Sequence, residues 1–225
     1  LEPSVITFNA AISASQKGAE WQQALGLLAD MQRKCFRPEV VTLSATISAC
    51  ARGMEWQQVL RLLEEMRQQR LDPHVITYNS AINACDKGAA WRGGMGLLAD
   101  LQRRGLEPNV ISCSAAISAC EKGDEWHHAL SLLGQLKWKE LHPNVITFSA
   151  AISASAIGME WQQALSLLAK MQGSLVESNV VAYNAAISAC DNCMEWQQAL
   201  NLLAEMQRSD LKPDVISLNS AISAC

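Results

Sequence analysis

Eight cysteines stand in this 225-residue chain, and their spacing decides what thiol chemistry they could support. Cys50, Cys85, Cys120, Cys190 and Cys225 are separated by multiples of 35 residues, and Ser15 and Ser155 fill the places that Cys leaves open in that series. A zinc site or a disulfide framework needs sulfur ligands in matched pairs, and a recurring place that accepts Ser as well as Cys does not provide them. The register instead predicts a small, packed helix position with free thiols, which suits a reducing compartment. Cys190 and Cys193 form a single C-x-x-C with no evident second ligand pair. His127 and His128 are adjacent, so they leave a helix from different sides and are poor joint ligands for one metal. The sequence has no His, Cys and Glu constellation of a zinc deaminase and no carboxylate cluster outside the repeating pattern. The chain is therefore expected to hold no catalytic centre, no metal, no cofactor and no small-molecule substrate, with any catalytic domain lying outside it.

The same 35-residue step organises everything else. Val5, Val40, Val75, Val110, Val145, Val180 and Val215 open successive units without a gap or insertion. Counting that Val as position 1, Trp21, Trp56, Trp91, Trp126, Trp161 and Trp196 fall at position 17, and Pro38, Pro73, Pro108, Pro143 and Pro213 at position 34. A fixed period of this size is the signature of a solenoid or propeller. The units are 5–39, 40–74, 75–109, 110–144, 145–179, 180–214 and a partial 215–225, read together as one elongated domain over 1–225. Because the chain starts and stops inside a unit, it is expected to be an excerpt of a longer array. A hydrophobic share of 49 % with only 5 % aromatic residues suits a helical interior of small side chains. No apolar run approaches the roughly 18 residues of a membrane span, so no membrane partner is expected. The net charge of −4 argues against a broadly basic surface but leaves room for a local basic line.

These residues need elements to place them. Phe8, Ala11, Ile12 and Ser15 keep the three-and-four spacing of an amphipathic helix. Thr7, Thr42, Thr77, Ser112, Thr147 and Ser217 are expected to be its N-caps, with Ala182 the exception. Gly18, Gly53, Gly88, Gly123 and Gly158 are expected in the left-handed conformation that stops it, and Cys193 in that place predicts a less regular turn. A second helix follows the acidic residues Glu20, Glu55, Glu125, Glu160 and Glu195, which complement its N-terminus. Its stripe of Trp21, Ala24, Leu25, Leu28 and Met31 places the repeated Trp in the core, while Trp138 is out of register and expected to be exposed. Gly93, Gly94 and Gly96 should make the second helix of the third unit the least stable. The fold class is thus all-α, a solenoid of helix-turn-helix repeats.

The period, V-I-T-F-N at the start of a unit, A-L-x-L-L in its second helix, M-Q-R near that helix's end and P-N or P-D at the close together resemble the pentatricopeptide repeat family, in a P-type-like array. The resemblance covers essentially the whole chain. It implies a right-handed superhelix that binds single-stranded RNA, with one base read per repeat. It assigns base reading to position 5 of a unit with position 35: Asn9 with Glu39, Ser44 with His74, Asn79 with Asn109, Ser114 with Asn144, Ser149 with Asn179, and Asn184 with Asp214. By the family's pairing rule the last four read C, A, A and U in the 5′ to 3′ direction. The first two depart from common pairs and stay open, and Asn219 begins a seventh. Position 2, an aliphatic residue that sandwiches the base in the family, carries Ile6, Val41, Ile76, Ile111, Ile146, Val181 and Ile216. The family's phosphate-approaching Lys corresponds to Lys17, Arg52, Lys87 and Lys122, with Ile157 and Asn192 in the later units. All seven position-5 residues are Asn or Ser, a restriction that a merely polar helix start does not require.

The leading expectation is a sequence-selective, non-catalytic binder of single-stranded RNA in organellar RNA processing, stability or editing. Effector proteins or domains are further expected partners, and the resemblance implies a mitochondrial or chloroplast address. The alternative is a protein-binding scaffold of the tetratricopeptide kind, which the acidic charge favours and the Asn and Ser restriction opposes.

Overall fold

The computed structural model describes residues 4–138, 141–174 and 176–225, without the side chains of residues 137 and 138. The expected exposure of Trp138 therefore lies outside the described residues. Thirteen α-helices and no strand occur among the described residues. They fall into two compact units, one up to Pro108 and one over Asn109–Cys225. The first holds α1 (Val5–Lys17), α2 (Trp21–Arg33), α3 (Val40–Arg52), α4 (Trp56–Gln68), α5 (Val75–Lys87) and α6 (Trp91–Arg103). The second holds α7 (Val110–Lys122), α8 (Trp126–Trp138), α9 (Val145–Ile157), α10 (Trp161–Gly173), α11 (Val180–Asn192), α12 (Trp196–Arg208) and α13 (Val215–Ser223). Every odd-numbered helix starts at a repeat Val and every even-numbered one at a repeat Trp, so the sequence period is the structural period.

In the first unit α1 packs on α3 and α3 on α5, while α2, α4 and α6 each pair with the odd helix of their own repeat. In the second, α7, α9, α11 and α13 stack in the same way, with α8, α10 and α12 paired behind them. Each unit is thus two layers of an all-α solenoid. Ile12, Ile47, Ile82, Ile117, Ile152 and Ile187, one per repeat, are fully buried where the layers meet. Each such side chain contributes about 1.5–3 kcal/mol through its loss of water contact. Ala24, Ala129, Ala164 and Ala199 are also fully buried and let the paired helices approach closely. Cys50, Cys85, Cys120 and Cys190 are buried packing residues, and burial pushes their thiols up to about 11.

Three local expectations are corrected by the structure. The N-cap is not the Thr or Ser at position 3 but the residue before each Val: Ser4, Glu39, His74, Asn109, Asn144, Asn179 and Asp214. Except at Thr77, the position-3 hydroxyl is instead the N3 partner of a capping box, accepting from the backbone N–H of Asn109 at 2.9 Å in α7 and of Asp214 at 3.1 Å in α13.

The turn glycines are not left-handed: φ is −77° at Gly18, −75° at Gly53, −88° at Gly88, −96° at Gly123 and −72° at Gly158. The left-handed residue is the next one, with φ between 50° and 64° at Ala19, Met54, Ala89, Asp124, Met159 and Met194. The turn at Cys193 keeps this geometry, so the expected irregularity is absent.

Third, the repeated Trp residues are half-buried rather than interior, and Trp196 is 49 % exposed. Three of their rings crowd a turn glycine one repeat ahead, Trp21 against Gly53, Trp56 against Gly88 and Trp126 against Gly158. Despite its three glycines α6 runs unbroken from Trp91 to Arg103.

Candidate nucleic-acid interface

Positions 2, 5 and 9 of a unit follow one another at helical spacing, so the odd helices present them on one face. The position-2 residues are all exposed apolar side chains, from 57 % at Val181 to 79 % at Ile6, with Val41, Ile76, Ile111, Ile146 and Ile216 between. A β-branched aliphatic left in water at the same place in all seven odd-numbered helices is not explained by packing within the chain.

Between these residues sit the polar pairs. In the first unit Asn9 Oδ1 accepts a hydrogen bond from Thr42 Oγ1 at 2.6 Å, and the hydroxyls of Ser44 and Thr77 lie 2.8 Å apart. Glu39 and His74 stand at the N-cap places of α3 and α5 and are exposed. Asn79 lies on α5 in the first unit, and Asn109 caps α7 in the second, accepting from Ser112 N at 3.0 Å.

Within the second unit three complete pairs are seen. The Ser114 hydroxyl lies 2.6 Å from that of Thr147, whose amide donates to Asn144 Oδ1 at 2.9 Å. Ser149 donates to Asn179 Oδ1 at 3.4 Å, and the Ala182 amide donates to the same oxygen at 2.9 Å. Asn184 Nδ2 donates to both Asp214 carboxylate oxygens at 3.1 Å, and Ser217 Oγ donates to Asn184 Oδ1 at 2.5 Å. The backbone N–H of Ser217, then its hydroxyl and the Asn184 amide, hold the Asp214 carboxyl below the usual carboxylate range. The structure thus brings Ser114 to Asn144, Ser149 to Asn179 and Asn184 to Asp214, positions 5 and 35 of one unit in each case. It does so through the position-3 hydroxyl of Thr147 in the first case, directly in the second, and directly with the position-3 hydroxyl of Ser217 alongside in the third. That hydroxyl was visible in the sequence as six Thr or Ser residues in seven copies, but a helix-start role accounted for it too readily. Asn219 on α13 is exposed.

One of these places is an open slot. A cavity of about 270 Å³ is lined by Ile146 and Val181, with Ser149 and Asn179 between them and Ser118 and Ser153 beside them. Its lining, which also includes Glu121, joins aliphatic to polar side chains, the combination needed to cover the faces of a planar ring and bond its edge.

Lys17, Arg52 and Lys87 in the first unit and Lys122 in the second are exposed near the C-termini of their helices. Arg52 Nη1 donates to the Lys17 carbonyl at 3.5 Å. Asn192, in the corresponding place on α11, donates to the Ala156 carbonyl at 2.9 Å, so it is engaged in linking repeats. The two adjacent histidines have separate surroundings, His127 stacked on Trp126 with ring centroids 3.5 Å apart and His128 Nδ1 3.3 Å from Glu125. No group of three or more His, Cys, Asp or Glu side chains suited to a metal ion occurs among the described residues.

Paired helices at a fixed period, displaying polar pairs between exposed aliphatic residues, define a helical-repeat protein with a modular face. The pentatricopeptide repeat domain model matches residues 26–87 and 96–157, and a PPR repeat family model matches residues 178–225. The chain belongs to the pentatricopeptide repeat family. A comparison with curated proteins found no match. Among solved structures, the pentatricopeptide repeat protein PPR10 from maize is similar in fold, with a TM-score of 0.65 and 22 % identity over 99 % of this chain. The chain spans 32 % of that structure's length. PPR10 in complex with an 18-nt psaJ RNA element has a TM-score of 0.63 and 17 % identity, covering 100 % of this chain and 38 % of its own. The PPR domain of Arabidopsis thaliana protein-only RNase P 1, in complex with tRNA, has a TM-score of 0.69 and 15 % identity, covering 79 % of this chain and 94 % of its own.

Proposed function

We propose that this chain binds single-stranded RNA sequence-selectively, one base per repeat, with residues 1–225 acting as a single array. The row of exposed β-branched residues that flank polar pairs carries this reading. Unstacked bases bury their faces against such residues and satisfy their Watson–Crick edges on amides and hydroxyls. The RNA complexes of similar structures support RNA as the ligand class. Asn79 with Asn109 reads C, Ser114 with Asn144 and Ser149 with Asn179 read A, and Asn184 with Asp214 reads U. Ile6, Val41, Ile76, Ile111, Ile146, Val181 and Ile216 hold the bases, while Lys17, Arg52, Lys87 and Lys122 approach phosphates. Asn9 with Glu39, Ser44 with His74, and Asn219 face bases that carry no assignment. The chain acts by occupancy, shielding or positioning a transcript of a mitochondrion or chloroplast for processing, stabilisation or editing by other proteins or domains.

The test is binding of residues 1–225 to RNA 10-mers containing CAAU or UGGC, repeated with the double variant Ser114→Asn and Ser149→Asn. The expected result is selective binding to CAAU, with the two central preferences moving to pyrimidines in the variant. A folded protein that binds no RNA favours the peptide-binding scaffold, and equal binding to all sequences leaves a strand binder without base selection.

A further inference from the structure

The fourth and fifth repeats carry the same polar pair, Ser114 with Asn144 and Ser149 with Asn179, yet their serines are held differently. Ahead of Ser114 stands Thr147, fully buried, and ahead of Ser149 stands Ala182 at the same place on the next helix. Ser114 Oγ lies 2.6 Å from both the Val110 carbonyl and Thr147 Oγ1, and Thr147 Oγ1 lies 2.9 Å from Asn144 Oδ1. Two hydroxyl protons serve these three contacts. If Ser114 donates to Val110, Thr147 donates to Ser114; if Thr147 donates to Asn144, Ser114 donates to Thr147. Either way the Ser114 proton is spent inside the protein. The Thr147 hydroxyl either takes it or donates to Ser114 and so fixes its rotor on the Val110 carbonyl, a same-helix bond that Ser114 can otherwise leave for a base edge. Only oxygen lone pairs remain for a base. Ser149 has the longer 3.4 Å bond to Asn179, which leaves its proton free to turn toward a base edge.

From this difference we propose that Thr147 is a specificity-determining positioning residue, locking Ser114 as a hydrogen-bond acceptor so that the fourth repeat discriminates adenine from guanine more sharply than the fifth. An acceptor at this place bonds the N6 amino group of adenine and is repelled by the O6 carbonyl that guanine puts there. A hydroxyl that can turn accommodates both. The same device recurs as Thr42 with Asn9, Thr77 with Ser44, and Ser217 with Asn184, in which the position-3 hydroxyl fixes the group ahead of it. The inference rests on the one-base-per-repeat reading above.

The test uses residues 1–225 and RNAs in which guanine replaces adenine at the base of the fourth or of the fifth repeat. In the wild type the adenine preference at the fourth repeat's base is expected to exceed that at the fifth's by about fivefold. Thr147→Val should erase the excess, Thr147→Ser should keep it, and Ala182→Ser should raise the preference at the fifth repeat's base. Uracil preference at the sixth repeat's base should stay unchanged in all three, which a general loss of structure would not allow. Wild-type indifference to the base at the fourth repeat overturns the one-base reading and the inference with it. A sharp wild-type preference that Thr147→Val leaves intact overturns the inference alone.

Discussion

The indole of Trp21 stands so close to the α-carbon of Gly53 that a methyl group there would come within 2.3 Å of its Cδ1. Trp56 meets Gly88 in the same way, at 2.2 Å, and Trp126 meets Gly158 at 2.6 Å. Each contact joins the second helix of one repeat to the turn of the next. Gly53→Ala is expected to lower stability by about 1–3 kcal/mol, because the ring must leave its place. Pairing it with Trp21→Leu should recover part of the loss, as read from thermal unfolding of the single and double variants.

Gly96 offers the opposite case, since a methyl group on its α-carbon meets nothing within 4 Å and the residue lies inside α6. Gly96→Ala should stabilise the protein by about 0.5–1 kcal/mol through lower entropy of the unfolded chain. Urea unfolding checks this, and a loss of stability would mean that the helix needs the flexibility there.

Ile146 and Val181 wall the slot beside Ser149 while remaining 63 % and 57 % exposed. Ile146→Ser and Val181→Ser should therefore change folding stability by no more than about 0.5 kcal/mol. Each should weaken RNA binding by about three- to fivefold through lost apolar contact with a base. Unfolding curves beside RNA titrations separate the two effects, and a variant that loses stability without losing affinity would return these residues to a packing role.

Asp214 accepts hydrogen bonds from Ser217 N and Asn184 Nδ2, the Ser217 hydroxyl that also bonds Asn184 Oδ1 lies 3.0 Å from its Oδ1, and its carboxyl is held below the usual carboxylate range. A carboxyl lowered in the folded state contributes stability above its unfolded pKa and loses it as pH falls through the folded value. Selectivity at the sixth repeat's base should then be flat from about pH 8 to pH 5, failing only below about pH 4. Carboxyl titration by NMR should show the Asp214 value rising part of the way in Ser217→Ala, which keeps the leading backbone donor.

On the proposed RNA-binding reading, the four cations at position 13 set the dependence on salt. With four phosphate contacts on a single strand, the slope of log affinity against log salt should be about −3, and Lys122→Ala should make it shallower by about 0.7. A slope near zero would remove these residues from the interface.

The helices were legible because Val, Trp and Pro recur in one register, and a period needs no structure to be seen. Three roles were not. A Thr at position 3 and an Asn just before the helix both read as helix-start residues, and only the backbone shows that Asn144 caps α9 while Thr147 answers as its N3 partner. Gly53 reads as a residue chosen for a left-handed turn, whereas its φ of −75° and the nearby Trp21 ring make it a residue chosen for want of a side chain. The repeated Trp falls on an apolar stripe, which periodicity equates with the interior, although its ring covers a neighbouring turn. Sequence spacing gives direction from a helix axis, but not what the next repeat brings to meet it.

At the ends of the third to sixth units Asn109, Asn144, Asn179 and Asp214 hold the first turn of the following helix through their side chains, which His74 at the end of the second does not. Where such a residue also faces a nucleotide, spelling and folding draw on one alphabet, that of Asn, Asp, Ser and Thr. Recoding Asn144 to Asp keeps the helix start intact, while a letter outside the alphabet costs about 1 kcal/mol before any RNA is present. On the proposed one-base-per-repeat reading, targets can therefore drift by exchange among capping residues with little change in the stability of the array.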